Sequence, residues 1–100
     1  MKRQIIIRPE ARLEVQEAFD WYEEQSEGLG SEFLRAADAS LSAIQRMPFS
    51  FPVVKNQTHR AFLRKFPYFL LYQIEPKRIV VLACFHVRRD PIDWVRRIEP

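Results

Sequence analysis

The feature that most constrains the fold is a change of hydrophobic periodicity at Pro48. Before Pro48, apolar residues recur every three to four positions, which is the spacing of one face of an α-helix. After it, Arg60, Phe62 and Arg64 alternate with their neighbours in a two-residue period, and nearly continuous apolar runs follow, as is typical of β-strands. The chain therefore predicts an α+β domain in which the helices precede most of the strands.

Two amphipathic helices are predicted between residues 9 and 47. Pro9 suits the first position of one helix, which ends near Gln25, before a break that contains glycine. Ser31 is predicted to cap a second helix, which Pro48 ends. The acidic side chains of the first helix are expected to face solvent. Two such helices joined by a short break form an antiparallel hairpin. Its buried residues are predicted to be Val15, Ala18, Phe19 and Tyr22 in the first helix and Phe33, Leu34, Ala37, Leu41 and Ile44 in the second.

Strands are predicted at residues 4–8 and, in the second half, at about 60–66, 68–75 and 78–87. The three later strands have short connections and so form an antiparallel meander, whose last strand is apolar on both faces and hence central. Asp90 and Pro91 then open a short helix that carries Trp94. The predicted order is β-α-α-β-β-β-(α), with the helical hairpin packed on one face of a mainly antiparallel sheet and the N-terminal strand at or near that sheet.

Length and composition narrow the class of protein. One hundred residues predict a single domain, residues 1–100. Two glycines argue against a glycine-rich phosphate loop, and the lone Cys84 supplies neither a disulfide nor metal-ligand spacing. Because Cys84 lies in an apolar run, it is interpreted as a buried structural thiol. No run is long enough for a signal peptide or a membrane span, so a cytoplasmic protein without a membrane partner is expected.

The charge is unevenly distributed along the chain. Residues 1–38 carry nine acidic and five basic side chains, whereas residues 39–100 carry four acidic and eleven basic ones. No acidic residue lies between Asp38 and Glu75. A small domain with one basic half indicates an acidic or polyanionic partner, with a solvated basic face as the plainer alternative.

The order of elements and two segments carry a resemblance to a known family. The segments run from Phe66 to Ile74 (FPYFLLYQI) and from Arg78 to Pro91 (RIVVLACFHVRRDP), and the helix from Ala11 to Glu23 agrees with them. Together they resemble the RelE/ParE superfamily of type II toxin–antitoxin toxins, and the ParE side more closely. The resemblance implies a cytoplasmic toxin without a cofactor or metal, neutralised by a cognate antitoxin in a hetero-oligomer. Within the superfamily, RelE-like members cleave mRNA on the ribosome and ParE-like members poison DNA gyrase.

The residues that the resemblance places at the RelE-like nuclease site match only in part. An arginine of those nucleases corresponds to Phe69, and two lysines of the preceding strand correspond to Arg60 and Phe62. A phosphate-binding arginine matches Arg88, but a C-terminal tyrosine corresponds to Trp94, which has no ionisable hydroxyl. Loss of a single charge-stabilising donor typically slows such chemistry by roughly 10²–10³-fold. The three differences therefore favour the ParE-like activity.

Three hypotheses remain open at this point. The first is a ParE-like inhibitor of DNA gyrase or another topoisomerase. The second is a RelE-like, metal-independent mRNA endoribonuclease that uses His86 and Arg88 as catalytic residues. For His86 itself a structural role at the end of a strand is favoured over a catalytic one, because no paired acid is identifiable. The third is a non-toxic protein that retains only antitoxin binding, which nothing in the sequence separates from the first. In each case the antitoxin or target is expected to bind the basic and aromatic residues Arg60, Arg64, Lys65, Arg88, Arg89 and Trp94.

Overall fold

The computed structural model describes residues 2–99, which form five β-strands and three α-helices. The sheet has the order β1-β5-β4-β3-β2, with β1 parallel to β5 and the other neighbours antiparallel. The predicted α+β fold is thereby confirmed. In chain order the elements are β1 (Gln4–Ile7), α1 (Pro9–Gln25), α2 (Leu29–Arg46), a 3-10 turn (Pro48–Ser50), β2 (Val53–Lys55), β3 (Thr58–Phe62), β4 (Tyr68–Ile74), β5 (Arg78–His86) and α3 (Pro91–Ile98).

The sheet is covered on both faces. The α1–α2 hairpin packs on one face, here called the hairpin face, through Phe33, Ala37 and Ile44. The short helix α3 packs on the opposite face, the α3 face, through Ile98 and Trp94. Residues 79–85 of β5 are buried throughout, which is why the sequence of this strand is apolar at successive positions.

The start of α2 differs from the prediction, because a side chain of α1 caps it. Helix α2 begins at Leu29 rather than after Ser31, with Gly28 as the N-cap residue at φ +89°. The Glu23 carboxylate accepts hydrogen bonds from the backbone N–H groups of Gly28 (3.0 Å) and Gly30 (2.9 Å). A carboxylate at this position satisfies otherwise free donors and interacts favourably with the helix dipole. Leu34, predicted to be buried, is 37% exposed.

A second acidic residue of α1, Glu14, is also partly buried and hydrogen-bonded rather than solvated. Strand β1 pairs with β5 only as far as Val81. Among residues 2–99, the backbone N–H and carbonyl groups of β5 that follow Val81 on this edge therefore have no neighbouring strand to bind. The Glu14 carboxylate accepts a hydrogen bond from the Cys84 N–H (3.0 Å), and the Arg97 guanidinium donates to the Leu82 carbonyl (2.9 Å). Arg97 also forms a two-pronged ion pair with Glu14, at 2.8 and 3.0 Å. This pair joins α1, α3 and the open edge of β5.

The connection between α2 and β3 contains a strand that the sequence did not predict. Strand β2 is three residues long and pairs with the start of β3 across a turn in which Asn56 and Gln57 have positive φ. The Tyr72 hydroxyl donates to the Pro48 carbonyl (2.6 Å) and so anchors the connection to β4. Strand β3 begins at Thr58 and ends at Phe62, rather than spanning residues 60–66.

Candidate functional site

The register of the sheet places the predicted site residues on two different faces. Arg60 lies opposite Leu71, which lies opposite Ala83 on the α3 face. His86 lies opposite Tyr68, which packs with the hairpin. Arg60 and His86 are therefore separated by the sheet itself. They do not form one site.

Arg60 is held by aromatic rings on the α3 face. The central carbon of its guanidinium lies 4.7 Å from the ring centre of Phe62, 5.5 Å from that of Trp94 and 5.7 Å from that of Phe69. The Trp94 ring packs in turn against Phe69, with ring centres 5.0 Å apart. Such cation–π contacts fix a guanidinium without neutralising its charge. These four residues are called the Arg60 cluster below.

His86 has a local structural role in the turn between β5 and α3. Its Nδ1 accepts a hydrogen bond from the Arg88 backbone N–H at 3.0 Å, so the Nδ1 lone pair is occupied. Its ring lies edge-on to Tyr68, with ring centres 5.1 Å apart. The arrangement favours the interpretation of His86 as a structural histidine at the end of a strand.

The two arginines after His86 differ in how freely their charge is available. Arg88 is exposed. The Arg89 Nε donates to the Asp93 carboxylate at 2.7 Å, and its guanidinium lies 4.7 Å from the Phe85 ring centre. The charge of Arg89 is therefore paired with a carboxylate of the following helix, α3.

Arg64 and Lys65 lie at a groove between α2 and the turn from β3 to β4, the α2–β3 groove. The groove has a volume of about 680 Å³. Its floor is made of small and aromatic side chains, and its rim carries four cations against one acid, Glu32. The lining residues are Glu32, Arg35, Ala36, Ala39, Ser40, Ala43, Arg46, Phe51, Phe62, Arg64, Lys65 and Phe66.

Two of these cations were not predicted as binding residues. Arg35 and Arg46 lie on the exposed, polar side of α2, and both also line the groove beside it. The signal in the sequence is the spacing of Ala36, Ala39 and Ala43, since small side chains on the same helical face leave room for a partner.

Phe62 joins the groove to the Arg60 cluster. It lines the groove, contacts Arg60, and is 54% exposed. Strand β2 pairs with β3 at Thr58 and His59, and the Arg60 N–H donates to the Pro52 carbonyl. In residues 2–99 no strand pairs with the outer edge of β3 beyond that point. A partner that crosses this open edge would contact both surfaces.

The titratable groups in the core have raised pKa values, which keep them protonated at neutral pH. Burial, together with a smaller contribution from the Glu14 carboxylate, raises the pKa of the Cys84 thiol from 9.0 to about 12. Burial also raises the pKa of Tyr72 to about 12 and raises that of Tyr68 above its usual value. Cys84 is thus a protonated, buried thiol at neutral pH, in agreement with its interpretation as a structural residue.

Two classes of site find no support in the described part of the chain. Within residues 2–99, no three His, Cys, Asp or Glu side chains are grouped to hold a metal ion. None of the helices in that range has the length and hydropathy that crossing a lipid bilayer requires.

Comparison with known proteins supports the fold and identifies the family. No protein with a curated description matches the sequence. The structure is similar to a solved chain described as "Chromosomal ParDE TA system from P. aeruginosa", with a TM-score of 0.64 and 12% sequence identity, over 84% of this chain and 95% of that chain. Residues 5–91 match the family described as "ParE toxin of type II toxin-antitoxin system, parDE". The chain therefore belongs to the ParE toxin family of type II toxin–antitoxin systems.

Proposed function

We propose that this toxin acts by binding a DNA topoisomerase, DNA gyrase being the first candidate, and not by cleaving mRNA. The observation that carries the proposal is the separation of His86 from Arg60 and Trp94 by the sheet. The proposal places the protein in the cytoplasm, where a cognate antitoxin neutralises it.

The separation matters because RNA cleavage requires its catalytic groups to lie close together. Without a metal ion, the reaction needs a base for the ribose hydroxyl, an acid for the leaving oxygen and cations around one phosphate. A base acts only within hydrogen-bond reach of the proton that it removes. On the α3 face, Arg60 is surrounded by Phe62, Phe69 and Trp94, none of which transfers a proton near neutral pH. Docking onto a protein target requires no such constellation.

The charge of the α2–β3 groove supports an acidic antitoxin as the neutralising partner. Arg35, Arg46, Arg64 and Lys65 surround the groove with Glu32 as the one acid, so an acidic segment has the complementary charge. For one antitoxin segment to contact both Arg60 and Arg64, it has to cross the β3 edge at Phe62. The proposed antitoxin segment thus occupies the groove and reaches round that edge.

The mechanism is tested by inducing the toxin without its antitoxin and scoring growth, DNA breaks and mRNA integrity together. We expect DNA damage signalling with intact ribosome-bound mRNA, and we expect His86→Ala to leave the toxicity largely unchanged. The matched variant Trp94→Tyr supplies the hydroxyl of the nuclease relatives, and the thermal stability of each variant controls for folding.

Two outcomes would contradict the proposal. Codon-phased mRNA cuts that His86→Ala slows by roughly 10²–10⁴-fold would establish the nuclease alternative. Normal growth with a folded wild-type protein would instead indicate a non-toxic protein that retains only antitoxin binding.

The antitoxin site is tested by charge reversal at the groove. Arg64→Glu combined with Lys65→Glu is expected to weaken the toxin–antitoxin complex and to reduce the dependence of its Kd on salt concentration. Lys77→Glu is the matched control, because Lys77 is an exposed cation in the turn between β4 and β5 and does not line the groove. Equal affinities of the double variant and the control at low salt would exclude the groove as the docking site.

A further inference from the structure

We infer that the Arg60 cluster is a receptor for a single carboxylate side chain of the antitoxin. The inference deepens and rests on the proposed function, since it takes the antitoxin as the protein that supplies the carboxylate. It concerns a different face of the sheet from the α2–β3 groove and is tested separately.

The first observation is a pair of buried hydrogen-bond donors without acceptors. The Arg60 Nε and the Trp94 indole Nε1 are both buried, and neither has a hydrogen-bond partner among residues 2–99. Buried donors are nearly always satisfied in folded proteins, because desolvating an N–H group without an acceptor is unfavourable. Two such donors on side chains in contact with each other indicate that an acceptor from elsewhere completes the site.

The second observation concerns charge. No acidic side chain in the described range lies within 4.0 Å of the Arg60 guanidinium, whereas three cations of the surrounding elements are each paired within the chain. Folding therefore leaves the charge of Arg60 available at a position enclosed by aromatic rings. The paired cations are Lys55 with Glu99, Arg89 with Asp93 and Arg97 with Glu14.

These two observations favour a carboxylate over the phosphates of a nucleic acid. Nucleic-acid surfaces present several free cations that follow the backbone, because binding depends on neutralising many phosphates at once. The Arg60 cluster offers one unpaired cation and one indole donor within an apolar surround. A single carboxylate can accept a charge-assisted hydrogen bond from a guanidinium and another from a further N–H group, so it fits these two donors.

Access to the donors depends on Phe62. Its ring lies over the Arg60 guanidinium and is 54% exposed at the open edge of β3, while Phe69 is buried. For a carboxylate to reach Arg60, the Phe62 side chain has to rotate away, and its exposure at the edge of the sheet leaves room for that rotation. The carboxylate enters from the side on which the groove lies, since Phe62 lines both surfaces.

The test is an NMR titration of the free toxin with the blocked peptide acetyl-Leu-Glu-Leu-amide. The protein has two tryptophans, so the indole N–H resonance of the exposed Trp21 serves as an internal control for that of Trp94. We expect a saturable shift of the Trp94 resonance, with a Kd on the order of 1 mM for one charge-assisted site, and no shift of the Trp21 resonance. The isosteric acetyl-Leu-Gln-Leu-amide should produce at least a several-fold smaller effect.

Variants separate recognition from a general change of structure. Arg60→Gln should abolish the Trp94 shift, and Trp94→Phe, which keeps a ring against Phe69, should weaken binding measured at the Arg60 Nε–H resonance. If Arg60→Gln fails to fold, the test rests on Trp94→Phe, which should weaken the binding of the glutamate peptide. Equal responses to the glutamate and glutamine peptides, a tighter response to inorganic phosphate, or no saturable shift would each overturn the inference. None of these results depends on toxicity. A failed titration would therefore overturn only this inference, because the proposed function is tested separately by the growth assay.

Discussion

The ion pair between Glu14 and Arg97 gives the sharpest prediction about stability. The side chain of Glu14 is 9% exposed and that of Arg97 is 18% exposed. Glu14→Ala removes acceptors for two hydrogen bonds from Arg97 and one from the Cys84 backbone N–H. It leaves a guanidinium and an amide that are largely shielded from water. Removing one partner of a buried pair typically costs about 3–5 kcal/mol, a large share of the roughly 5–15 kcal/mol that stabilise a typical domain.

The assay is urea denaturation followed by circular dichroism, with the midpoint and slope fitted separately. The expected loss corresponds to a decrease in Tm of roughly 12 °C or more for a domain of this size. Glu17→Ala is the matched control, because Glu17 is exposed on the same helix. An exposed substitution of this kind usually changes the free energy of unfolding by less than about 0.5 kcal/mol.

A double-mutant cycle separates the pair from its surroundings. Glu14→Met combined with Arg97→Met removes both charges, so it is expected to cost less than the sum of the two single changes. The reasoning is refuted if Glu14→Ala stays within about 1 kcal/mol of the wild-type protein, or if the two single effects are additive.

Three further changes have defined outcomes. Gly30→Ala should lower the free energy of unfolding by about 1–3 kcal/mol, since its Cβ would lie 2.8 Å from the Glu23 Oε1; an unchanged urea midpoint would contradict this. Tyr72→Phe should cost about 1–3 kcal/mol, because the Pro48 carbonyl loses its donor at 2.6 Å; a thermal melt measures it. Cys84→Ala should flatten the loss of stability above pH 9, because burial raises the pKa of this thiol from 9.0 to about 12. Because the thiol ionises at lower pH in the unfolded chain, its contribution to stability is complete below pH 9 and is lost as the pH approaches 12. Identical pH profiles of the urea midpoint for the wild-type protein and Cys84→Ala would contradict this.

The helical hairpin, the meander and the short C-terminal helix were predictable because local patterns specify them. The apolar residues of α1 recur at helical spacing and Pro9 marks its start, as observed. Asp90 caps α3 through the Ile92 N–H, which is a contact between residues two positions apart. Such signals need no knowledge of distant partners.

The departures from prediction come from contacts between neighbouring elements. Helix α2 begins at Leu29 because Glu23 of the preceding helix caps it, and β2 is a strand because β3 lies beside it. The pattern of apolar residues continues past Phe62, but β3 ends there, and Lys65 in the following turn has a φ of +71°. An edge strand of three residues has too little periodicity to be recognised from its own composition.

For the candidate site too, some properties follow from the sequence and others only from the tertiary structure. The sequence by itself determined which residue types are available, namely an excess of cations after Asp38 with aromatic residues among them. It also matches the ParE toxin family over residues 5–91. The tertiary structure alone decided which of them meet. Register across β3, β4 and β5 sets Arg60 and His86 on opposite faces, and the end of β3 at Phe62 turns Arg64 toward α2 rather than toward Arg60. The face of a side chain in a sheet depends on the pairing of strands, so a shift by one residue would reverse it.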